Sequence, residues 1–445
     1  MITALIAIFV LGYVCIAMEH KIKVNKAATA LVMFGLIWSV FAIFSNGVNI
    51  GEELMEHIGS TCETLLFLIG AMTIVELVDR HGGFYIITKQ VKTKDKFVLL
   101  WVLSLLTFFM SAVLDNMTTT IVMVMMLRKM IEKPAERWLF SGIIVIAANS
   151  GGAWSPIGDV TTIMLWMRGN VTTLPLVTYL FIPSLVSLIV PLLVVSFMVS
   201  KQPDRELTME TSKFRLPRGV GHGFSRAIFN VGVFGLLMVP VIKTVTGLPP
   251  YVGVMFVLGI MWVITEVVYG RKHDVEEKVK NRVSKVLEHI DMPTILFFLG
   301  ILMSVAGLQS AGILGSVATF LDESVHEVFT IASSVGVLSS VVDNVPLVAG
   351  CMGMYPVATP EMIAMSADPI YAQAFAQDGL FWLLLTYCAG VGGSILIIGS
   401  AAGVIAMGLE KIDFMWYLKK ISLIAFLGYA AGVAVIYLES LIFNI

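Results

Sequence analysis

Charge is what this chain has least of. Asp, Glu, Lys and Arg make up 13% of its 445 residues, against 58% hydrophobic. Soluble domains carry about 25% charged residues, and so sparse a supply cannot cover a water-facing surface for a chain of this length. A cytosolic enzyme, a nucleic-acid binder and a disordered scaffold are excluded, which leaves a polytopic membrane protein. Cysteine is scarce too. Cys15, Cys62, Cys351 and Cys388 are scattered among apolar residues without a C-x-x-C pair, so neither a disulfide framework nor a metal cluster is expected. The alternating pattern of barrel strands is missing; the apolar runs are continuous, so the fold is expected to be all-α. The opening MITALIAIFVLGYVCIAMEHK lacks a basic leading region and a clear cleavage site, and reads as a first span rather than a removed signal. No H-E-x-x-H, Ser-His pair or nucleophile motif is present, so the chain is not expected to be an enzyme or to carry a cofactor.

A crossing of about 30 Å takes about 20 helical residues. Expected spans are 2–18, 27–44, 61–78, 139–167, 176–199, 226–244, 251–269, 292–310, 379–409 and 421–443. Segments 97–127 and 328–355 behave differently. The first is flanked by Arg80, Lys89, Lys92, Lys94 and Lys96 before it and by Arg128, Lys129, Lys133 and Arg137 after it. Basic loops mark the cytoplasmic side, so both flanks share that side and the segment enters and returns. The second has Asp322, Glu323 and Glu327 before it and Glu361, Asp368 and Asp378 after it, with no Lys or Arg in either flank, and re-enters from outside. With two such hairpins, every Lys and Arg of the 29 except Arg168 and Lys243 falls in a cytoplasmic loop. Both termini are then external, and the basic loops near 200–225 and 270–291 are too short to form domains.

The chain also repeats itself. TLLFLIGAMTIVELVDRHGG at 64–83 aligns with TILFFLGILMSVAGLQSAGI at 294–313. The tip SAVLDNM at 111–117 aligns with SSVVDNV at 339–345, and NSGGAWSPIGDVTTIM at 149–164 with GVGGSILIIGSAAGVI at 390–405. The three matches keep their order while the charge-derived topology runs the two copies in opposite directions. The expectation is two inverted repeats, 1–199 and 226–445, joined by a cytoplasmic linker at 200–225. Each holds about five spans, one re-entrant hairpin (97–127, 328–355) and one broken helix (139–167, 379–409). Inverted repeats with broken helices are the architecture of secondary transporters, with the site near mid-membrane.

Polar residues inside the apolar segments cluster at these interruptions. The first copy has Ser111, Asp115, Asn116, Thr118, Thr119 and Thr120 at its tip, then Asn149, Ser150, Ser155, Asp159, Thr161 and Thr162; the second has Ser339, Ser340, Asp343 and Asn344, then Ser394 and Ser400. A mid-membrane carboxylate costs about 2.5–3.5 kcal/mol on insertion scales. Three of them, with no Lys or Arg expected at the breaks, point to cation binding. Carboxylate, amide and hydroxyl oxygens suit a bare Na⁺, and a carboxyl in apolar surroundings holds a proton when the metal ion is absent. Asp115, Asn116 and Asp159 are expected to centre the Na⁺ and proton site, with Asp343 completing it or serving a second one. The plainer alternative is that each Asp-Asn caps a tight turn; the two roles are compatible. Glu63, Glu76 and Glu266 are expected at interfaces, the seven His in solvated loops or at borders, and Trp101, Trp138, Trp166 and Trp416 in aromatic belts.

These motifs, SAVLDNMTTT, SSVVDNVP, NSGGAWSPIGDVTT and GGSILIIGSAAG, resemble sodium/proton antiporters of the NhaD type. That family lies in the ion transporter superfamily with arsenite permeases and sodium-coupled dicarboxylate carriers. The resemblance covers nearly the whole chain. It implies exchange of Na⁺ or Li⁺ for H⁺ across a bacterial-type inner membrane, a homodimer with a scaffold and a moving part, and functional roles at Asp115, Asn116, Asn149, Asp159, Thr161, Thr162, Ser339, Asp343 and Asn344. The competing reading is an anion or oxyanion carrier on the same fold, such as a dicarboxylate symporter or an arsenite exporter. Neutral Ser-Asn-Thr tips would suit a dianion, whereas Asp at both tips would repel it.

Overall fold

The computed structural model describes residues 1–45, 50–83, 93, 95–131, 133–200, 220–271, 281–341 and 343–443. These residues are almost wholly helical; the one extended pairing among them is a single bridge between Ala358 and Ala376. Most of the proposed linker 200–225, and Lys89, Lys92 and Lys94, fall outside the described residues.

The first six helices of eight residues or more are α1 (Ile2–Ala17), α2 (Lys26–Phe44), α3 (Ile50–Arg80), α4 (Lys96–Leu114), α5 (Asn116–Met130) and α6 (Pro134–Ala153). They are followed by α7 (Val160–Met167), α8 (Thr173–Ser200), α9 (His222–Thr246), α10 (Pro250–Gly270), α11 (Met292–Ser310) and α12 (Ile313–Ser324). The last are α13 (Val328–Leu338), α14 (Asn344–Met354), α15 (Leu380–Gly392), α16 (Ala401–Glu410) and α17 (Leu423–Phe443), the last entered through a π-helical turn at Leu418–Ser422. Eight of the described helices are long and apolar enough to cross a bilayer, so the protein is a multi-pass membrane protein.

The helices sort into two groups. In one, α2 lies along α11 and α3 along α10, with α1 and α9 outside them. Glycines set the approach: a Cβ at Gly300 would strike the Ala30 backbone, and one at Gly70 would strike Val254. In the other group α6 packs on α4 and α5, α15 on α13, and α8 along α17. Pro183 and Pro191 interrupt the hydrogen-bond ladder of α8, and Gly428 and Gly432 bring α17 against the Ser187 and Pro183 carbonyls. Tyr387 of α15 closes the junction by donating to the Tyr429 carbonyl at 3.0 Å.

Four local features differ from expectation. The expected span 61–78 begins eleven residues earlier, at Ile50. Ile50, Leu54 and Ile58 recur every four residues and pack on Trp38, Phe41, Met303 and Ala306, so the extension has an apolar stripe to bury. Helix α12 is a short amphipathic helix whose buried face holds Ile313 and Ala318; its length falls short of a span. His81 is fully buried rather than solvated. Its Nδ1 lies 2.7 Å from the Leu77 carbonyl and its Nε2 2.9 Å from the Tyr269 hydroxyl, partners on both nitrogens that make burial tolerable. Trp166, expected in a belt, is 1% exposed, covered by Lys243, whose ammonium sits 4.3 Å from the ring centroid.

Candidate functional site

Each helix interruption is built the same way. Helix α4 stops at Asp115, whose φ of 69° lies where L-residues rarely sit. The same Asp115 then caps α5: one carboxylate oxygen accepts from the Thr118 amide at 2.8 Å and the other from the Thr118 hydroxyl at 2.9 Å. Asp159 caps α7, accepting from the Thr161 amide at 3.0 Å and hydroxyl at 2.9 Å. Asp343 caps α14 through the Val345 amide at 3.3 Å, and Ser400 caps α16 through the Gly403 amide at 3.2 Å. All four side chains thus satisfy free N–H groups at a helix start. The turn-capping role is real at every break; Asp159 and Asp343 turn their second oxygen to other partners, Asn116 and Lys26, whereas both oxygens of Asp115 meet Thr118.

Close backbone contact of the same kind in two places explains the glycines. A Cβ on Gly151 would meet the Phe108 carbonyl oxygen at 2.1 Å, and one on Gly392 would meet the Gly336 carbonyl oxygen at 2.1 Å. Gly158 lies against the Ser111 carbonyl and Gly399 against the Ser340 carbonyl. Ser111 donates to the Ala148 carbonyl at 2.5 Å, and Ser339 to the Ala389 carbonyl at 2.9 Å. The ends of α4 and of α13 are therefore each seated on a neighbouring helix interruption by the same set of contacts.

The breaks are then joined to one another. Asn116 donates to Asn149 Oδ1 at 3.0 Å and, in a short contact, to Asp159 Oδ2. Asn149, fully buried, donates onward to the Ser394 and Ser400 hydroxyls, both at 2.9 Å. Asn344 approaches Asp159 Oδ1 at 3.4 Å. Asp159 is 1% exposed and sits at the centre, touched by side chains from both tips. Asp115 stands half-buried in the same cavity, whose wall carries Lys26, Asp115, Asn116, Asp159, Asp343 and Asn344. A second, more polar cavity, lined by His57, Arg168, Asn170 and Tyr355, lies at the opposite ends of α3, α11 and α14.

Asn116, Asn149, Asp159, Thr161, Asn344, Ser394 and Ser400 are thus brought into one network. Others among the sequence candidates face elsewhere. Ser150 bonds to Ser187 of α8 at 2.8 Å, and Thr162 reaches only the Gly152 carbonyl, at 3.5 Å. Ser155 donates to the Ala112 carbonyl at 2.5 Å, so Ser111, Ser155 and Ser339 fasten backbone. The expectation that no Lys or Arg lies at the breaks is wrong. Lys26 Nζ stands 3.3 Å from Asp343 Oδ2. The sequence places Lys26 in a loop far from the tip, and nothing local to it reports a partner 317 positions away. A second unforeseen group is Glu410, at the end of α16. Its buried carboxylate accepts from Arg128 Nε and Arg137 Nε, both at 2.7 Å, and ties α5 and the start of α6 to the end of α16. Glu76 and Glu266 are paired with Arg80 at 2.6 Å and Arg282 at 2.7 Å.

Two further polar contacts tie neighbouring helices. Lys96, the first residue of α4, pairs at 3.0 Å with Glu136, which lies in the first turn of α6. Tyr355, past the end of α14, donates at 3.1 Å to Asp322, which lies in α12.

Apolar helices around polar, acid-bearing helix interruptions define a membrane transport protein rather than an enzyme. The family model described as "Citrate transporter" (CitMHS) matches residues 13–376. The chain is 44% identical over 436 residues to "Sodium/proton antiporter 1" of Arabidopsis thaliana, covering 97% of this chain and 71% of that one. It is 31% identical to "Na(+)/H(+) antiporter NhaD" of Vibrio cholerae, covering 97% and 90%. It is 32% identical to the protein of the same name from Alkalimonas amylolytica, covering 99% and 91%. The chain belongs to the CitMHS citrate-transporter family and to the family of NhaD-type sodium/proton antiporters.

Proposed function

We propose that this protein exchanges Na⁺ or Li⁺ for H⁺ across the membrane, at a site made by Asp115, Asn116 and Asp159 with Asn149, Asn344, Thr161 and the Ser394 and Ser400 hydroxyls around them. The observation that carries the reading is how the helix starts are occupied. A dianion carrier needs free, positive helix N-termini for its substrate. Here Asp115, Asp159 and Asp343 take those amides with their own carboxylates. The cavity wall holds three acids against one cation, Lys26, which is itself paired. Such a wall repels citrate and attracts a metal cation or a proton. The description of the family model names citrate, but the relatives matched over nearly the whole chain are named as sodium/proton antiporters, in keeping with the acids.

The coupling follows from one carboxylate set serving two ions. Na⁺ takes carboxylate, amide and hydroxyl oxygens; with Na⁺ gone, protons neutralise the same carboxylates, so the empty site need not cross the membrane charged. The two copies act as inverted repeats, 1–199 and 226–445, with re-entrant hairpins 97–127 and 328–355. Lys96 at the start of α4 pairs with Glu136 at the start of α6, and Tyr355 past α14 bonds Asp322 of α12, which supports entry and return on one side. Positive charge assigns the Lys26 end to the cytoplasm and both termini to the outside of a plasma-type membrane, so the carboxylate cavity reaches toward the cytoplasm. The group of α4–α8 with α13–α17 moves against the rest, in a homodimer.

The test is purified protein in proteoliposomes holding a pH gradient. Adding Na⁺ or Li⁺ collapses the gradient, while Asp115→Asn and Asp159→Asn each abolish the response with the protein still inserted. A gradient untouched by either cation overturns the exchange; wild-type rates in either variant overturn the site.

A further inference from the structure

The ion pair between Lys26 and Asp343 is the feature that the exchange reading does not use. Lys26 is the first residue of α2, capped by Asn25, whose side chain accepts from the Ala27 amide at 2.8 Å. Its ammonium lies 3.3 Å from Asp343 Oδ2 and 4.3 Å from the ring centroid of the fully buried Phe297. The pair is held in place from two sides, with 30% and 22% of the two side chains exposed. It faces the same cavity as Asp115 and Asp159, and Lys26 is the only Lys or Arg among the described residues lining it.

The matching position in the other copy carries no charge. Helix α10 packs on α3 as α2 packs on α11, with Val254 and Ala30 against Gly70 and Gly300. Both helices therefore start in equivalent places, and α10 starts with Pro250. A helix start of this kind does not require a lysine. Asp115, the counterpart of Asp343, has Thr118 and, among the described residues, no paired cation.

We propose that Lys26 is a tethered competitor for the cation: its ammonium occupies the Asp343 carboxylate when Na⁺ is absent and is displaced when Na⁺ enters. Lys26 is a specificity-setting residue that weakens Na⁺ binding at the cytoplasmic mouth and keeps the site from holding the ion too tightly to release. The proposal rests on the exchange reading above.

Half-saturating Na⁺ is read in two ways: from exchange in proteoliposomes, and from the Na⁺-dependent rise in unfolding temperature of the purified protein, which also works for variants that no longer transport. Lys26→Met is expected to lower half-saturating Na⁺ by about two- to fivefold, the scale of a partly exposed ion pair. Lys26→Arg is expected to restore the wild-type value. In an Asp343→Asn background Lys26→Met is expected to change nothing further. Lys26→Gln serves as the second neutral variant should the methionine form not insert. An unchanged or raised half-saturating Na⁺ in the neutral variant overturns the proposal, as does an equal effect with and without Asp343. If wild-type protein shows no exchange and no Na⁺-dependent stabilisation, the exchange reading itself has failed; if it shows both and the Lys26 variants match it, only this inference has.

Discussion

Gly151 and Gly392 offer a test whose size comes straight from geometry. Gly151→Ala places a methyl group 2.1 Å from the Phe108 carbonyl oxygen, and Gly392→Ala places one 2.1 Å from the Gly336 carbonyl oxygen. Ordinary contact needs more than 3 Å, so α6 must leave α4, or α15 leave α13, by about 1 Å. Backbone lies on both sides and no side chain can swing away. Overpacking of this kind costs about 3 kcal/mol, at the upper end of the usual range, and lowers the unfolding temperature by roughly 3 °C. The same shift pulls Asn149 off Asn116, now 3.0 Å apart, so exchange falls with stability. Gly35→Ala is the control: it is interior to α2 and nothing lies within 4 Å of its new methyl, so its effect stays within about 1 kcal/mol of zero. Unfolding in detergent can be followed by tryptophan fluorescence, since Trp154 stacks on Phe108 with ring centroids 5.9 Å apart. If Gly151→Ala and Gly392→Ala both melt within a degree of Gly35→Ala and exchange normally, the close packing of tip on broken helix is refuted.

Two further outcomes follow. Glu410→Gln removes the charge between Arg128 and Arg137, and the arginines are 39% and 13% exposed; because Arg128 can turn to water, the loss is about 2 kcal/mol rather than the full cost of a buried pair, read as a lower unfolding temperature with half-saturating Na⁺ unchanged. Asn149→Ala removes three side-chain hydrogen bonds, about 2–3 kcal/mol together at the net worth of such bonds, and is expected to raise half-saturating Na⁺ more than tenfold; unaltered Na⁺ dependence would show that the bridge between the copies is not needed.

The interruptions were legible in the amino-acid order because their residues are expensive there. An Asp or a Gly-Gly pair inside an apolar run has few reasons to exist, and Asp115, Asp159 and Asp343 all sit at helix starts. Span positions were legible because length and apolarity decide them: 292–310 coincides with α11. What stayed hidden depends on distant partners. Lys26 looks like any loop lysine until α2 is laid along α11, and Glu410 looks like an interfacial glutamate until Arg128 and Arg137 arrive beside it. His81 follows the same logic, since Tyr269 of α10 makes its burial possible. The early start of α3 is masked in the amino-acid order because Glu52, Glu53 and Glu56 dilute its apolar stripe. The inward-facing serines show the limit of residue type as a guide: Ser111, Ser155 and Ser339 hold backbone carbonyls, while Ser394 and Ser400 meet Asn149.

The central claim is that Na⁺ and H⁺ compete for the same carboxylates. Its most direct test is half-saturating Na⁺ for exchange in proteoliposomes, measured across pH with the maximal rate followed separately. Competition predicts that, on the acid side, half-saturating Na⁺ rises by about tenfold for each unit of falling pH per competing proton, at constant maximal rate. Half-saturating Na⁺ that stays level while the maximal rate alone changes with pH would contradict it.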